Sequence, residues 1–225
     1  MKRNNPEKNL LQALPKVLLT GFDGFGGDVV NPSWLAVQAL HDEVINGYRV
    51  VAAQLPTTFA DSGRALLALL RTHQPVLVVC VGLAGGRSAL SLERIAINVD
   101  DARIADNAGA QPVDSPIVKG GPSGYFSTLP IKAMLHSLTQ AGVAAEVSQT
   151  AGTFVCNHVF YVLMHALKKQ RNLHKSRGGF VHVPYLPGQG VPCMLLEDTV
   201  RGLRVAVECA LANKLDMMFG AGALN

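Results

Sequence analysis

An almost unbroken apolar run from Val76 to Val81 is the feature that most constrains the fold of this chain. A strand with so few polar residues is typical of a parallel sheet that is covered on both faces. Apolar residues recur at helical spacing before and after this run, and further strand-like segments lie beyond them. Since strands and helices alternate, the sequence predicts an α/β fold whose largely parallel sheet is flanked by helices.

Turn and capping residues place the other elements. Asn31 followed by Pro32 is a good helix start, with asparagine at the N-cap and proline in the first turn. We expect strands at 17–20, 48–55, 76–81, 144–148 and 178–185, and helices from residue 32 and at 57–73, 128–142, 155–167 and 197–217. No internal repeat or low-complexity linker divides the chain.

The composition bounds the class of protein. Of the 225 residues, 48% are hydrophobic and 16% are charged, which indicates a folded chain with a substantial core. Residues 1–15 lack clear periodicity, so we expect an N-terminal extension followed by a single domain at 16–225. No apolar run has the length that a membrane span needs, and the start of the chain lacks a secretory apolar core. We therefore expect a cytoplasmic protein without a membrane partner.

Cysteine spacing and charge exclude other classes. The chain has 4 cysteines, and none forms the C-x-x-C pair of zinc ribbons and thioredoxin-type centres, so we expect reduced thiols. The formal net charge is +4, and lysine and arginine residues cluster between 168 and 177. Because cations complement the negative end of a helix and no nucleic-acid-binding module accompanies them, we expect no nucleic-acid partner.

Cys156 follows a turn of small residues and opens a helix whose apolar positions recur at helical spacing. At a helix start, free N–H groups and the positive end of the helix dipole favour a thiolate over a thiol. The position therefore predicts a nucleophile with a lowered pKa. The alternative is a buried cysteine that only packs in the core.

Two other side chains have the chemistry to assist a thiol. His182 lies near the end of a strand, because Pro184 cannot donate to a sheet, and strand ends are where sites gather. Glu93 lies in the segment 91–103, where charges interrupt an apolar run; the alternative for this segment is a solvated edge strand. A cysteine, a histidine that takes its proton and a carboxylate that orients the histidine are the parts of a nucleophilic triad.

A glycine-rich turn at 21–27 follows the first predicted strand. Its spacing differs from that of dinucleotide-binding and P-loop motifs, so we do not expect it to bind phosphate. Phe22 and Phe25 stand in this turn and predict a small apolar slot; the alternative is that they cap the core.

Six separated motifs make the chain resemble the pyroglutamyl peptidase family of cysteine peptidases, also called pyrrolidone-carboxylate peptidases. The similarity runs from about Val17 to the end of the last predicted helix. The motifs are TGFDGFGG at 20–27, NPSW at 31–34, GGR at 85–87, ERIAIN at 93–98, GTFVCNH at 152–158 and HVPY at 182–185. The resemblance implies a three-layer α/β/α sandwich with a mixed, largely parallel sheet, of the phosphorylase/hydrolase-like kind.

The resemblance also implies a function and a site. It places a triad on Glu93, Cys156 and His182, which removes an N-terminal pyroglutamyl residue from peptides through a thioester. It implies no metal or organic cofactor, and frequent assembly as a homotetramer. The family positions that resemble the substrate pocket fall on Phe22, Phe25, Asn31, Leu83, Phe154 and Val155, with Arg103 helping backbone N–H groups to hold the oxyanion.

Two departures from the family pattern concern the pocket. Family members often have proline in place of Gly24, which predicts a looser first loop here, and many have glutamine in place of Leu83 next to the expected lactam site. A rival interpretation is a relative that binds the ligand without efficient turnover; the complete triad argues against it, and Leu83 favours it. A third, a nucleoside phosphorylase-like transferase, rests on fold analogy alone and lacks an evident phosphate loop.

Overall fold

The structure is a computed structural model that describes residue 11 and residues 13–222, so the expected extension at 1–15 lies mostly outside the described residues. The strands are β1 (Lys16–Phe22), β2 (Val44–Ile45), β3 (Tyr48–Leu55), β4 (Leu77–Leu83), β5 (Leu90–Glu93), β6 (Ile95–Ile97), β7 (Gly124–Phe126), β8 (Ala145–Ser148) and β9 (Arg177–Val183). The helices are α1 (Pro32–Ala39), α2 (Phe59–His73), α3 (Ile131–Gln140), α4 (Val155–Lys169) and α5 (Leu196–Ala212), with a 3-10 turn at Arg171–Leu173. None of these described helices is long and apolar enough to cross a membrane.

One seven-stranded sheet, in the order β2-β3-β1-β4-β9-β5-β8, forms the centre of the molecule. The strands β3, β1, β4 and β9 run parallel to one another. β5 is antiparallel to β9 and parallel to β8, and β2 is antiparallel to β3. β6 and β7 form a separate antiparallel pair. The prediction of a mixed, largely parallel sheet is confirmed.

Helices cover both faces of this sheet. Side chains of α1, α3 and α5 share one hydrophobic core with the sheet, and side chains of α2 and α4 share the other. In β4, Leu77 and Val79 belong to the first core, whereas Val78 and Cys80 belong to the second, since alternate residues of a strand face opposite ways. Two cores explain the unbroken apolar run, and the expected three-layer α/β/α architecture is confirmed.

Capping side chains decide where the first helices begin. α1 begins as predicted, because Asn31 Oδ1 accepts a hydrogen bond from the Ser33 N–H at 3.0 Å. α2 begins at Phe59 rather than at residue 57, because Thr58 is the N-cap and its hydroxyl accepts from the Asp61 N–H at 3.3 Å. Both helices begin after a residue whose side chain caps the free N–H groups, and neighbouring residues of the same type shift the predicted start by one or two positions.

The last helix is shorter than predicted, since α5 ends at Ala212 and not at residue 217. Asn213 is extended at the C-cap, and the chain then turns so that the Asp216 carboxylate reaches the start of α3. There it accepts hydrogen bonds from the N–H groups of Lys132, at 3.0 Å, and Ala133, at 2.9 Å. A carboxylate at the positive end of a helix stabilises that helix, and this long-range contact competes with continuation of α5.

Candidate active site

Cys156 is the second residue of α4, whose N-cap is Phe154. Gly152 gives the preceding turn a φ of 77°, a conformation that residues with a Cβ rarely adopt. The sulfur lies against the end of β4, because a Cβ added at Gly82 would be 2.8 Å from Cys156 Sγ. Glycine at position 82 therefore leaves the space that the thiol occupies.

His182 lies on the neighbouring strand, level with the thiol. It is in register with Gly82, the residue that Cys156 Sγ contacts. Its ring is only 4% exposed and lies 4.8 Å from the ring of Phe180, centroid to centroid. Because these two rings share a face of the sheet, His182 and Cys156 occupy adjacent positions on the α4 side. The predicted location near a strand end is confirmed, since β9 ends at Val183.

Glu93 is the last residue of β5 and is fully buried. Its Oε1 lies 2.7 Å from His182 Nδ1. The edge-strand alternative is wrong for β5, because β9 and β8 pair with it on either side and enclose it. A carboxylate only accepts hydrogen bonds, so Nδ1 carries the proton in neutral imidazole and Nε2 is left as an acceptor.

Arg87 is partly exposed and pairs with the same buried carboxylate. Its Nη1 donates to Glu93 Oε1 at 2.7 Å, and its Nη2 donates to the Thr150 carbonyl at 3.2 Å. The guanidinium thus joins the carboxylate to the turn before α4, and it supplies a positive charge beside a negative one that burial would otherwise disfavour. Glu93 Oε2 has no hydrogen-bond partner among the residues that the structure describes. Arg87 belongs to the GGR motif, and no local sequence pattern predicts this role for it.

The protonation state of Cys156 differs from the prediction. Burial raises the pKa of the Cys156 thiol to about 12, and the negative charge of Glu93 contributes to the rise, whereas Arg87 acts in the opposite direction. The predicted lowering of this pKa is therefore wrong, because loss of hydration outweighs the effect of the helix start. The resting form is a thiol, so a base has to remove its proton before the sulfur can attack.

Alkylation by iodoacetamide gives a direct test of that state. Only the thiolate reacts, so a pKa of about 12 predicts that labelling of Cys156 keeps accelerating, roughly tenfold per pH unit, from about pH 7 to about pH 10. The measurement is the rate of labelling of the peptide that contains Cys156, followed by mass spectrometry. A rate that levels off near neutral pH would contradict the raised pKa.

A cavity of about 340 Å³ opens beside the thiol. Its walls come from the first loop, the ends of β1 and β4, the start of α4 and the segment after β9. They consist of Phe22, Phe25, Gly26, Asp28, Val30, Asn31, Thr57, Leu83, Phe154, Val155, Cys156 and Tyr185. The carboxyl ends of parallel strands thus meet at one edge of the sheet, where ligand sites of α/β proteins occur.

The structure brings most of the predicted pocket residues together. Those that line the cavity are Phe22, Phe25, Asn31, Leu83, Phe154 and Val155. Phe22 also belongs to the hydrophobic core, so both interpretations of that residue hold. Arg103 does not line this cavity; it is exposed and lies in a neighbouring pocket that shares only Phe154 with it.

Thr57 and Tyr185 also line the cavity, and neither was a predicted pocket residue. The N–H and hydroxyl of Thr57 both donate to Asp23 Oδ1, at 2.7 and 2.6 Å. Tyr185 packs on the turn after β4, because a Cβ added at Gly85 would lie 2.3 Å from its hydroxyl oxygen. The glycine pair of the GGR motif and the tyrosine of the HVPY motif are the available sequence signals for this contact.

The first loop is held tightly. Asn31 Nδ2 donates to the Asp23 carbonyl at 3.0 Å, so Asn31 braces the loop as well as lining the cavity. A Cβ added at Gly24 would lie 2.1 Å from the Asp28 carbonyl oxygen. Gly24 therefore lets the loop close on itself, which differs from the looser loop that replacement of proline predicted.

Aromatic side chains build one wall of the cavity. The rings of Phe25 and Phe154 lie 5.3 Å apart, and Phe59 packs edge-on against Phe154 at 5.2 Å, both between centroids. Such pairs are geometrically specific and favourable. Within residues 13–222, no group of three or more histidine, cysteine, aspartate and glutamate side chains is placed to hold a metal ion.

Comparison with known proteins gives consistent matches along the chain. The model of the family described as Pyroglutamyl peptidase matches residues 15–213. A protein named pyrrolidone-carboxylate peptidase 1, from Ralstonia nicotianae, is 55% identical over 217 residues, which cover 94% of this chain and 100% of the relative. The pyrrolidone-carboxylate peptidase of Erwinia tasmaniensis is 51% identical over 215 residues, covering 93% of this chain and 99% of the relative.

Solved structures agree with the sequence matches. The crystal structure of pyroglutamyl peptidase I from Bacillus amyloliquefaciens matches with a TM-score of 0.89 at 43% identity, covering 92% of this chain and 100% of that one. A mutant pyrrolidone carboxyl peptidase from Pyrococcus furiosus matches with a TM-score of 0.84 at 40% identity, covering 88% of this chain and 98% of that one. The described fold is similar to both.

Proposed function

Because the chain belongs to the pyroglutamyl peptidase family, we propose that it hydrolyses the peptide bond after an N-terminal pyroglutamyl residue. The observation that carries this proposal is the 2.7 Å hydrogen bond between His182 Nδ1 and buried Glu93, next to a thiol at the wall of a cavity that combines aromatic and polar lining groups. A pyroglutamyl ring is small and uncharged, and a cavity of this kind suits it.

The triad works by proton transfer at the moment of attack. Neutral His182 accepts the Cys156 proton on Nε2 while the sulfur attacks the carbonyl carbon that links the ring to the next residue. Glu93 accepts from Nδ1–H and stabilises the imidazolium that forms. A base is needed here because burial raises the pKa of the thiol.

The second half of the reaction returns the enzyme to its resting state. The imidazolium donates its Nε2 proton to the leaving amine, the carbon–nitrogen bond breaks, and a thioester to Cys156 remains. Water then gives a proton to His182 and attacks the thioester carbon. The carbon–sulfur bond breaks, free pyroglutamate departs, and the sulfur takes a proton back from the histidine.

Backbone N–H groups at the start of α4 stabilise the developing oxyanion. The first N–H groups of a helix have no intrahelical acceptor, and His158 is the residue whose N–H makes the first such bond, to the Phe154 carbonyl at 3.1 Å. The N–H of Cys156 is therefore available beside its own sulfur. The contact of Arg103 with the oxyanion stays a prediction from the resemblance, and Arg103 lines the neighbouring pocket that shares Phe154 with the cavity.

Assembly and location remain predictions. A homotetramer in the cytoplasm is implied by the resemblance. Large apolar side chains are exposed on the described chain, among them Phe126, Val191, Leu215 and Met218, and contacts between subunits would cover such residues. The proposed substrates are peptides with an N-terminal pyroglutamyl group.

Hydrolysis of pyroglutamyl-aminomethylcoumarin by the purified protein tests the proposal. We expect release of the fluorophore from this compound and not from the prolyl or glutaminyl analogue, since neither of those is a neutral lactam. The rate is expected not to depend on phosphate, which separates hydrolysis from a phosphorylase-like transfer. Folded protein that binds the lactam without turnover would instead support the non-catalytic relative.

Leu83 gives a specific prediction about affinity. This residue ends β4 and lines the cavity, so glutamine at this position would offer the lactam an additional amide. We expect Leu83→Gln to lower KM for pyroglutamyl-aminomethylcoumarin by roughly threefold to tenfold with kcat nearly unchanged. Leu83→Met is the matched control, because it keeps an apolar side chain of similar size. Equal KM values for the two variants would show that the amide contributes nothing.

A further inference from the structure

We propose that Asp100 and His158 form a positioning pair that holds the aromatic wall of the pocket in the shape that binds the lactam ring. This inference rests on the proposed function. The pair lies apart from the triad, and no step of the mechanism uses either side chain.

The geometry of this pair matches that of His182 and Glu93. His158 Nδ1 lies 2.8 Å from Asp100 Oδ2, and the two side chains are 14% and 9% exposed. Asp100 Oδ1 is buried with no hydrogen-bond partner among the described residues. A buried carboxylate with one partner is costly to leave alone, so the histidine is held in one orientation.

The His158 ring transmits that orientation to the cavity. It packs edge-on against Phe59 with centroids 5.9 Å apart, and Phe59 packs edge-on against Phe154 at 5.2 Å. Phe154 in turn contacts Phe25 at 5.3 Å, and both of these rings line the cavity. A continuous series of ring contacts therefore leads from the Asp100 carboxylate to the pocket wall.

Asp100 is itself held in place, which allows it to position another residue. Its N–H donates to the Ser115 carbonyl at 2.7 Å, and its own carbonyl accepts from the Ser115 N–H at 3.0 Å. The next residue, Asp101, donates its N–H to the Thr153 carbonyl at 3.0 Å. The carboxylate is thus carried by a segment attached directly to the turn before the nucleophile.

His158 is not placed to act on the substrate. Its Nε2 points toward α2, since a Cβ added at Gly63 would lie 3.2 Å from that nitrogen. Cys156 lies two positions earlier on α4 and contacts Gly82 in the sheet. The pair can therefore affect binding of the ring, while the reacting groups keep their own contacts.

The test compares KM with kcat for pyroglutamyl-aminomethylcoumarin. His158→Phe keeps a ring against Phe59 but removes the donor to Asp100, and we expect KM to rise about tenfold with kcat changed less than about twofold. Asp100→Asn keeps a hydrogen bond to the ring without the charge, and we expect KM to rise roughly threefold. An unchanged KM in Asp100→Asn, or a fall in kcat without a rise in KM, overturns the proposal.

Two controls separate positioning from general loss of structure. Asn98→Ala removes two hydrogen bonds of 2.9 Å, one from the Asn98 amide to the Val118 carbonyl and one from the Val118 N–H to the Asn98 side chain. It therefore loosens the same segment without changing the contacts between His158 and the aromatic wall. His136→Phe changes an exposed histidine on α3. We expect wild-type KM in both, and a rise in Asn98→Ala as large as in His158→Phe would overturn the proposal.

A binding measurement distinguishes a failure of the Asp100–His158 proposal from a failure of the proposed hydrolysis. The lactam 2-pyrrolidone is expected to protect Cys156 from iodoacetamide, and to do so about tenfold less well in His158→Phe than in the wild type. Wild-type protein that is protected but does not hydrolyse the substrate would contradict the function alone. Equal protection of wild type and His158→Phe would contradict the positioning pair alone.

Discussion

Alanine in place of Cys156 is expected to lower kcat/KM for pyroglutamyl-aminomethylcoumarin by a factor on the order of 10⁴ or more. In the proposed mechanism the sulfur is the protein nucleophile that forms the covalent intermediate, and alanine leaves His182 without a thiol proton to accept. Binding of the ring should persist, because the aromatic wall does not depend on the thiol. The measurements are the hydrolysis rate and the dissociation constant of 2-pyrrolidone for the Cys156→Ala protein.

Cys209→Ala is the matched control for this result. Cys209 is buried, whereas Cys156 is half-buried, and Cys209 lies on α5 in the core on the opposite face of the sheet. The substitution removes a similar volume, so it reports the cost of losing a buried thiol without removing the nucleophile. Wild-type activity is expected for Cys209→Ala below its melting temperature. Residual hydrolysis by Cys156→Ala at more than a few per cent of wild type would overturn the assignment of the nucleophile.

Much of the site could be predicted because short stretches of neighbouring residues determine where its helices and strands begin and end. The N-cap at Asn31, the helix start at Cys156 and the strand end at His182 each follow from a few neighbouring residues. The family resemblance, which the comparisons confirm, then related these separate segments to one another. Without that relation, Glu93 was compatible with either a triad or a solvated strand.

The features of the site that could not be predicted depend on contacts between segments that are distant in the sequence. The pKa of Cys156 is set by how deeply the folded chain buries it and by the charge of Glu93, and neither is visible in the helix-start pattern. Tyr185 and Thr57 enter the cavity because loops after different strands converge at one edge of the sheet. The position of Arg103 outside the cavity has the same origin, since motif similarity gives a residue's place in the chain and not its side-chain contacts.

Two features of the site act together to favour proton transfer over a permanent ion pair. Burial holds Cys156 as a thiol. The Glu93 carboxylate accepts a hydrogen bond from Nδ1 of His182, so Nε2 is the nitrogen that can take the thiol proton. Charge then develops only when a substrate is attacked, where the helix start and the carboxylate both stabilise it. The raised pKa is therefore compatible with catalysis, provided that the histidine remains correctly oriented.

Glu93→Gln tests that orientation and is expected to lower kcat by roughly 10³-fold to 10⁴-fold. The glutamine amide can donate to Nδ1, which favours the tautomer with the proton on Nε2, where it cannot accept from the thiol. It also removes the negative charge that stabilises the imidazolium, and it leaves Arg87 beside a neutral group. The measurement is kcat with saturating pyroglutamyl-aminomethylcoumarin.

Glu146→Gln provides the control, because Glu146 lies on β8 in register with Ser91 of β5 and accepts the Ser91 hydroxyl at 2.8 Å. It changes a carboxylate beside the same strand without touching the imidazole, so we expect wild-type kcat. Loss of Glu93 also perturbs an enclosed ion pair, and a lowered melting temperature in Glu93→Gln would accompany the kinetic effect. Alkylation of Cys156 distinguishes the loss of kcat from loss of the fold, since folded Glu93→Gln protein still carries an accessible thiol. If that protein turns over substrate within about tenfold of wild type, histidine orientation by Glu93 is not required, and the carboxylate serves only to pair with Arg87.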